Sequence, residues 1–585
     1  MGKTAESIHF EGEEDHEAPR GTGGWTAASC IIEHHFFALL AYSGVSRTLV
    51  RYLTRVMKQT NSSASSIVLN FSGTSYITPL VGAMLGDSFF GHFRSSLLFA
   101  VIYVVGQFLV TLSANVPALQ PTQCKIGEEI CPATKRWQLS FLYTSLFIIA
   151  LGRAGYPAYQ VLGAAQFHDH RQNAERSAFF TYMFQALTFG YMVSATAVVY
   201  VQESYGWGVG YILTALASFM SLLGLLSGLP FYREGHSEGN ACAKIFQVLS
   251  ASLLKCRLSL PPREELFDDQ SQDPDEANLD FFYSSDFRFL DKAAIETHDE
   301  QFLREGRNPW RLCTLSQVEE VKQILRLVPV CISCIIFTSI YGQLPTLFVL
   351  QGEVMNRKVG NFNVEIPPAT MTIFENLTVL LGGYLYNKVF IPTMMKVTGH
   401  PKGISPLQRI GTGLCMGVLA MTVAALVETQ RLARISPSDT QGSEMSMFYL
   451  IPQFVLVGIG EIFTYVGLTE FFYDQSPPRM RSVSSSISML TQAMGNYLSS
   501  LLVSIVYHST TKDGSPGWIP NDLNEGRVDK FYLLLAALCG LSFICFLIIA
   551  STFKHRRDEN LPTRRCSPMR KTMTSRSSLK EPLLS

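Results

Sequence analysis

The sequence predicts an all-α polytopic membrane protein, with twelve transmembrane helices in two six-helix bundles. Three observations lead there. Of 585 residues, 47% are apolar and only 16% are charged, against roughly 25% charged in a soluble chain. The apolar residues gather into twelve segments, most of them longer than the roughly 20 residues that cross a bilayer. A polar stretch at 233–312 divides those segments six and six.

The segments lie at 27–53, 66–90, 95–113, 138–163, 178–201 and 208–230, then at 324–350, 370–395, 408–427, 448–472, 483–507 and 531–553. They are numbered here as spans 1 to 12. Gly152, Gly155, Pro157, Pro345, Gly382 and Gly383 interrupt them, as membrane helices tolerate when neighbours satisfy the freed backbone. The expected organisation is a disordered tail at 1–24, a bundle at 25–232, an acidic, partly disordered linker at 233–312, a bundle at 313–554 and a basic tail at 555–585. The first 24 residues are polar and acidic, unlike a cleavable signal peptide.

An even number of spans puts both termini on one side. Arg47, Arg51, Arg55 and Lys58 follow the core of span 1, while Lys388, Lys396, Lys402 and Arg409 lie between spans 8 and 9, on the opposite face. The tail bases Lys554, Arg556, Arg557, Arg564, Arg565, Arg570 and Lys571 decide the matter. By the positive-inside rule both termini are cytoplasmic. The plasma membrane is the expected location, with the vacuolar membrane as the alternative. Cys124 and Cys131 share the outward loop between spans 3 and 4 and could form a disulfide. Asn61-Ser62-Ser63 is a sequon on that side, a glycosylation candidate.

Basic and acidic residues balance at 47 each, so the global excess expected of a nucleic-acid-binding chain is missing. No Walker loop or His-Glu-x-x-His motif occurs, so no cofactor, metal or ATP-driven chemistry is expected and the chain is not read as an enzyme. Expected partners are a small-molecule or ion substrate, protons and the lipid bilayer. Oligomeric state is not readable. Gly82, Gly86, Asp87 and Gly91 close span 2 with Arg94 just after, and Tyr386, Asn387 and Lys388 stand at the equivalent turn of the second half. Such a repeat suits a transporter with its site between the halves.

Several stretches carry a resemblance. They are Phe287–Ile295 in the linker, Trp310-Arg311-Leu312-Cys313-Thr314, Gln317–Lys322, Thr346–Gly352, Ile451-Pro452-Gln453, Glu470–Gln475 and Pro516-Gly517-Trp518-Ile519-Pro520. Over about residues 22–555 the chain resembles the plant nitrate and peptide transporters, the proton-dependent oligopeptide transporter family of the major facilitator superfamily. The resemblance implies the major facilitator fold and proton-coupled transport by alternating access. Several positions depart from it. The family's span 1 Glu-x-x-Glu-Arg motif, linked to proton coupling, falls on His35, Ala38 and Leu39. The span 4 Lys before Pro157 is Tyr156. A His that serves nitrate in one type of member aligns with Tyr341. A branch linked to nitrate and potassium movement also lacks the span 1 motif, and the chain is most similar to that branch.

Charges inside a membrane need a partner, a cavity or a function. Glu461 in mid-span 10 is the first proton-coupling candidate, and the resemblance gives it a central-cavity place. His35 and Glu33 follow, as an imidazole beside a carboxylate in span 1. Glu33, His34 and His35 cannot all face one cavity, because successive helix positions turn by about 100°. Arg153 in span 4 is the candidate anion site, or the partner of Glu461, since its planar fork suits nitrate or a carboxylate. Glu375 in span 8 is a further cavity candidate. Tyr42, Tyr156, Tyr182, Tyr341, Gln343 and Asn496 could line the substrate site. Asp87, Arg94, Gly82 and Gly91 are assigned a conformational role. The leading expectation is secondary transport of nitrate with protons. The alternatives are a proton-linked potassium exchanger, a carrier of di- or tripeptides or other organic solutes, and a transporter-like sensor that has lost coupling.

Overall fold

A computed structural model describes residues 23–86, 90–121, 134–167, 173–233, 241–267, 283–297, 308–359, 362–399, 403–435, 445–477, 481–511 and 515–553. Among these, twelve long helical segments follow one another in the expected order. The first six are Gly24–Ser46, Asn61–Leu85, His92–Asn115, Arg136–Gly152 continuing as Tyr156–Ala164, Asn173–Val193 continuing to Val199–Ser204, and Trp207–Ser227. The second six are Leu315–Tyr341, Thr372–Leu385 continuing to Ile391–Thr398, Pro406–Ala433, Ile451–Gln475, Arg481–Thr510 and Val528–Thr552. By length and apolarity, nine of these qualify as membrane spans. Spans 1, 2 and 8 fall short because polar residues or backbone breaks interrupt them.

Span 1 keeps most of its basic residues in helix. Helix continues as Leu49–Arg51 and Tyr52–Val56, and Arg47 and Arg51 are buried. Burial is tolerated because each meets a carboxylate: Arg47 meets Glu375, while Arg51 meets Glu203 and Glu353. Arg55 also pairs with Glu353. Span 7 breaks after Tyr341, at Gly342 to Thr346, and resumes as Leu347–Glu353. Lys358–Val359 and Phe362–Glu365 pair as a short antiparallel sheet, and Asn356 makes a single bridge to Ser446 beside it.

Within the first half, span 1 packs on spans 5 and 6, and span 3 packs on spans 4 and 6. In the second half, span 9 packs on spans 10 and 12, and span 7 on spans 11 and 12. Span 2 and span 11 join the halves. Their seam is polar: Ser66 meets Ser504 at 3.4 Å, and Thr74 meets the Tyr497 hydroxyl at 2.9 Å. Asn61 donates both amide hydrogens' worth of bonds to the carbonyls of Pro520 and Asn521, at 2.9 Å each. That corrects the glycosylation expectation, because a glycan needs a free, exposed side-chain nitrogen and this one is buried in the seam between halves.

The linker is more ordered than its composition suggests. It contains the helix Ala241–Leu254 and a helical turn at Arg288–Ala294 that packs against it and against span 7. Lys322 and Asp291 are both fully buried there and pair at 2.6 Å. Glu319 at 2.8 Å and the Ser284 carbonyl at 3.0 Å complete the ammonium's shell. The Tyr283 hydroxyl donates to the other Asp291 oxygen at 2.8 Å. Removing one member of a buried pair strands the other charge. Asp291→Ala is therefore expected to cost about 3 kcal/mol and to lower the thermal unfolding midpoint of the purified protein. Asp291→Leu combined with Lys322→Met and Glu319→Gln, which leaves no charge of the cluster stranded, should recover most of that loss.

Candidate functional site

The backbone of span 4 sets the first part of the site. Gly152-Arg153-Ala154-Gly155-Tyr156-Pro157 interrupts the helix with a tight turn at Arg153–Gly155. Pro157 lacks the N–H that would continue the ladder. Thr78 of span 2 donates its hydroxyl to the Ala150 carbonyl at 2.6 Å. Gly82, one turn further along span 2, lies against the Ala154 carbonyl, and any Cβ there would overlap it. Span 2 thus braces the turn that carries Arg153. Gly82→Val is expected to push the two spans apart, at about 1–3 kcal/mol of overpacking strain. Both the thermal midpoint and the transport rate should fall, since the obstacle is backbone and no rotamer relieves it.

The Arg153 guanidinium lies over the Tyr42 ring, 3.9 Å from its centroid. Tyr76, Tyr159 and Tyr191 are its other electrostatic neighbours. Among the described residues no carboxylate pairs with it, and its Nε is buried without a hydrogen-bond partner. A cation held only by aromatic faces has its fork free for an anion. The expectation that Arg153 partners Glu461 is not met in this conformation, because Glu461 faces another carboxylate.

That carboxylate is Glu375. Gly458 of span 10 brings the helices close: a Cβ there would stand 3.0 Å from the Glu375 carbonyl oxygen. Glu375 and Glu461 come within hydrogen-bond reach of each other. Two carboxylates that close repel when both are charged, which makes the pair a place where one proton can be shared. Arg47 approaches from the first half. It stands 3.9 Å from Glu375, donates to Asn376 at 3.4 Å and to Ser43 at 2.8 Å, and lies over the Tyr191 ring at 5.2 Å. Arg47 is the site residue that sequence reading missed. Its signal was available: counted along an uninterrupted span 1, it falls inside the helix.

The remaining candidates separate into two groups. Tyr341 stays near the carboxylates, its ring 5.7 Å from that of Tyr465 and its hydroxyl beside Glu461. Tyr156 borders His35, with ring centroids 5.7 Å apart, and accepts a hydrogen bond from Gln160. His35 is buried and meets the Tyr159 hydroxyl at 2.9 Å, so it belongs to the first half's interior together with His34, which is tied to Ser221. The structure does not bring His35 to the carboxylate pair. Glu33 is exposed and lines a separate cleft of about 840 Å³ with Trp25, Tyr182, Gln185 and Phe189. Gln343 is fully buried and donates to Ser339 and Ser499, and Asn496 is buried with its amide on Gln492. In this conformation Gln343 ties span 7 to span 11, and Asn496 bonds within its own helix. Gly91 adopts φ 75° at the start of span 3, which suits glycine, and Arg94 is exposed. Asp87, Cys124 and Cys131 lie outside the described residues.

On the face of the loop between spans 1 and 2, ion pairs of Arg51 and Arg55 with Glu353 tie the halves, and Asn61 and Ser66 add hydrogen bonds. The site therefore lies between two bundles that are fastened together on that face.

Comparison with known proteins gives this arrangement a context. A protein-family model described as the POT family matches residues 93–519. "Protein NRT1/ PTR FAMILY 8.5" of Arabidopsis thaliana is 37% identical over 567 residues, covering 96% of this chain and 95% of its own. "Protein NRT1/ PTR FAMILY 7.3" of the same plant is 38% identical over 549 residues, covering 91% and 89%. Among solved structures, the crystal structure of an auto-inhibited POT family peptide transporter superposes with a TM-score of 0.68 at 17% identity, covering 90% of this chain and 97% of that one.

Proposed function

This chain belongs to the POT family of membrane transporters, and from that premise we propose that it moves nitrate together with protons by alternating access. The observation that carries the reading is the division of charge in the site. Arg153, in the first half, is a buried cation with no carboxylate partner among the described residues. Glu375 and Glu461, in the second half, form a carboxyl pair next to Arg47. An anion fits the Arg153 fork, and a proton fits the pair.

The two parts are linked through Arg47. When the pair loses its proton, the extra negative charge strengthens the hold of Glu375 on Arg47 and draws the halves together at that point. When the pair is protonated, Arg47 is released toward Tyr191 and Ser43. Proton arrival thereby biases how the bundles rock, and a bound anion beside Arg153 supplies a second bias. On this reading both termini are cytoplasmic and the membrane is the plasma membrane, which would make the face fastened by Arg51, Arg55 and Glu353 the outer one.

The test is a flux comparison in one expressing, voltage-clamped cell. Nitrate at an external pH of roughly 5.5 should give an inward current that is small at roughly 7.5, a range chosen around an ordinary His. Potassium and dipeptides should give none. A pH-independent nitrate flux would remove the proton from the scheme, and a potassium current without a nitrate current would favour the carboxyl pair as a cation site.

A further inference from the structure

We propose that the linker helix Ala241–Leu254 is a membrane-surface element, seated in the headgroup layer of the bilayer with a preference for anionic lipid. One face of the helix is already occupied. Val248 and Ala251 are fully buried in a core shared with Leu290, Ala293 and Val318. Ser252 donates to the Phe289 carbonyl at 2.6 Å, and Lys255 to that of Ile295 at 2.6 Å. The opposite face carries Phe246, Leu253 and Leu254, exposed to 53%, 71% and 65%. Their spacing of seven and eight residues makes one stripe along the helix. Three large apolar side chains in a row facing water are a surface that wants a cover.

Place and charge indicate the cover. The helix packs against the first turns of span 7, whose segment Leu315–Tyr341 is 27 residues and about 40 Å long. A bilayer core is only about 30 Å thick, so those turns, with Glu319, Glu320 and Lys322, emerge at its surface, and the linker helix lies beside them. Trp310, half exposed just before span 7, suits the same depth. Residues 241–258 contain Lys244, Lys255 and Arg257 and no acidic residue. Lys255 is committed to the Ile295 carbonyl, which leaves Lys244 and the exposed Arg257 flanking the stripe. A second copy packed here by two-fold symmetry would set these cations near their own counterparts. Anionic headgroups satisfy both the charge and the stripe.

Photo-crosslinking in the full-length protein, reconstituted in vesicles, tests this. Benzoyl-phenylalanine replaces Leu253 or, in a second variant, Leu254. A third variant carries it at Ser285, which is exposed elsewhere on the linker. Mass spectrometry should find lipid adducts at positions 253 and 254 and few at 285. Adding phosphatidylserine to phosphatidylcholine should raise the yield at least about fivefold, as roughly 1 kcal/mol per basic residue implies. Adducts to a second chain, adducts to another segment of the same chain, or lipid yields at 253 and 254 no higher than at 285 would each overturn the membrane seat. Equal yields in the two lipid mixtures would overturn the anionic preference.

Discussion

Nitrate uptake is expected to fall to background when Arg153 is replaced by Ala. The guanidinium offers two parallel N–H donors to a planar anion, and a hydrogen bond to a charged group contributes roughly 1.5–3 kcal/mol. Losing two such bonds removes roughly 3–6 kcal/mol, or about 10²–10⁴ in affinity. The neighbouring residues cannot compensate. Tyr42 presents its ring face to the guanidinium, and Arg47 is already engaged with Glu375, Asn376 and Ser43. Arg153→Lys keeps the charge but loses the fork, so an intermediate loss is expected. Because the arginine has no carboxylate partner among the described residues, its removal strands no buried anion, and the folded protein should remain as stable as the parent. Full nitrate uptake by a folded Arg153→Ala protein would rule out the anion site.

The second large effect is expected at Glu461. Gln has the shape of the protonated acid and cannot exchange a proton. In Glu461→Gln, Glu375 keeps a hydrogen-bonding neighbour but the pair no longer titrates as a unit. Uptake driven by a pH gradient should drop by at least about tenfold, equivalent to ~1.4 kcal/mol. Exchange of internal for external nitrate needs no net proton movement and should persist. That split separates loss of coupling from loss of binding: Arg153→Ala removes both fluxes, and Glu461→Gln removes one. A Glu461→Gln protein with unchanged pH dependence would move proton coupling elsewhere, and His35, on its separate network with Tyr159, would then be the residue to test.

Reading along the chain was enough to place the twelve helices and the polar interval after the sixth. Each follows from a sum over neighbouring residues: apolarity over a bilayer's length, or a run of polar residues. Glu461 and Arg153 also stood out, since a charge within an apolar helix is visible without any partner. Arg47 did not, because it reads as one of four basic residues at the end of span 1, and only its partner from the other half, Glu375, sets it apart. The hairpin at 358–365 and the linker helix were missed for a related reason, as both lie in stretches that composition marks simply as polar.

What the sequence determined by itself is therefore a two-bundle membrane transporter with a short inventory of interior charges. Only the tertiary structure decided how that inventory is spent: Glu461 against Glu375, Arg47 beside them from the other half, Arg153 among tyrosines, and His35 and Glu33 elsewhere. The physical reason is range. Helix formation and membrane insertion depend on residues within a few turns of one another. Electrostatic pairing acts over a few ångströms between residues hundreds of positions apart, and close contacts such as Gly458 on Glu375 and Gly82 on Ala154 fix which of them meet.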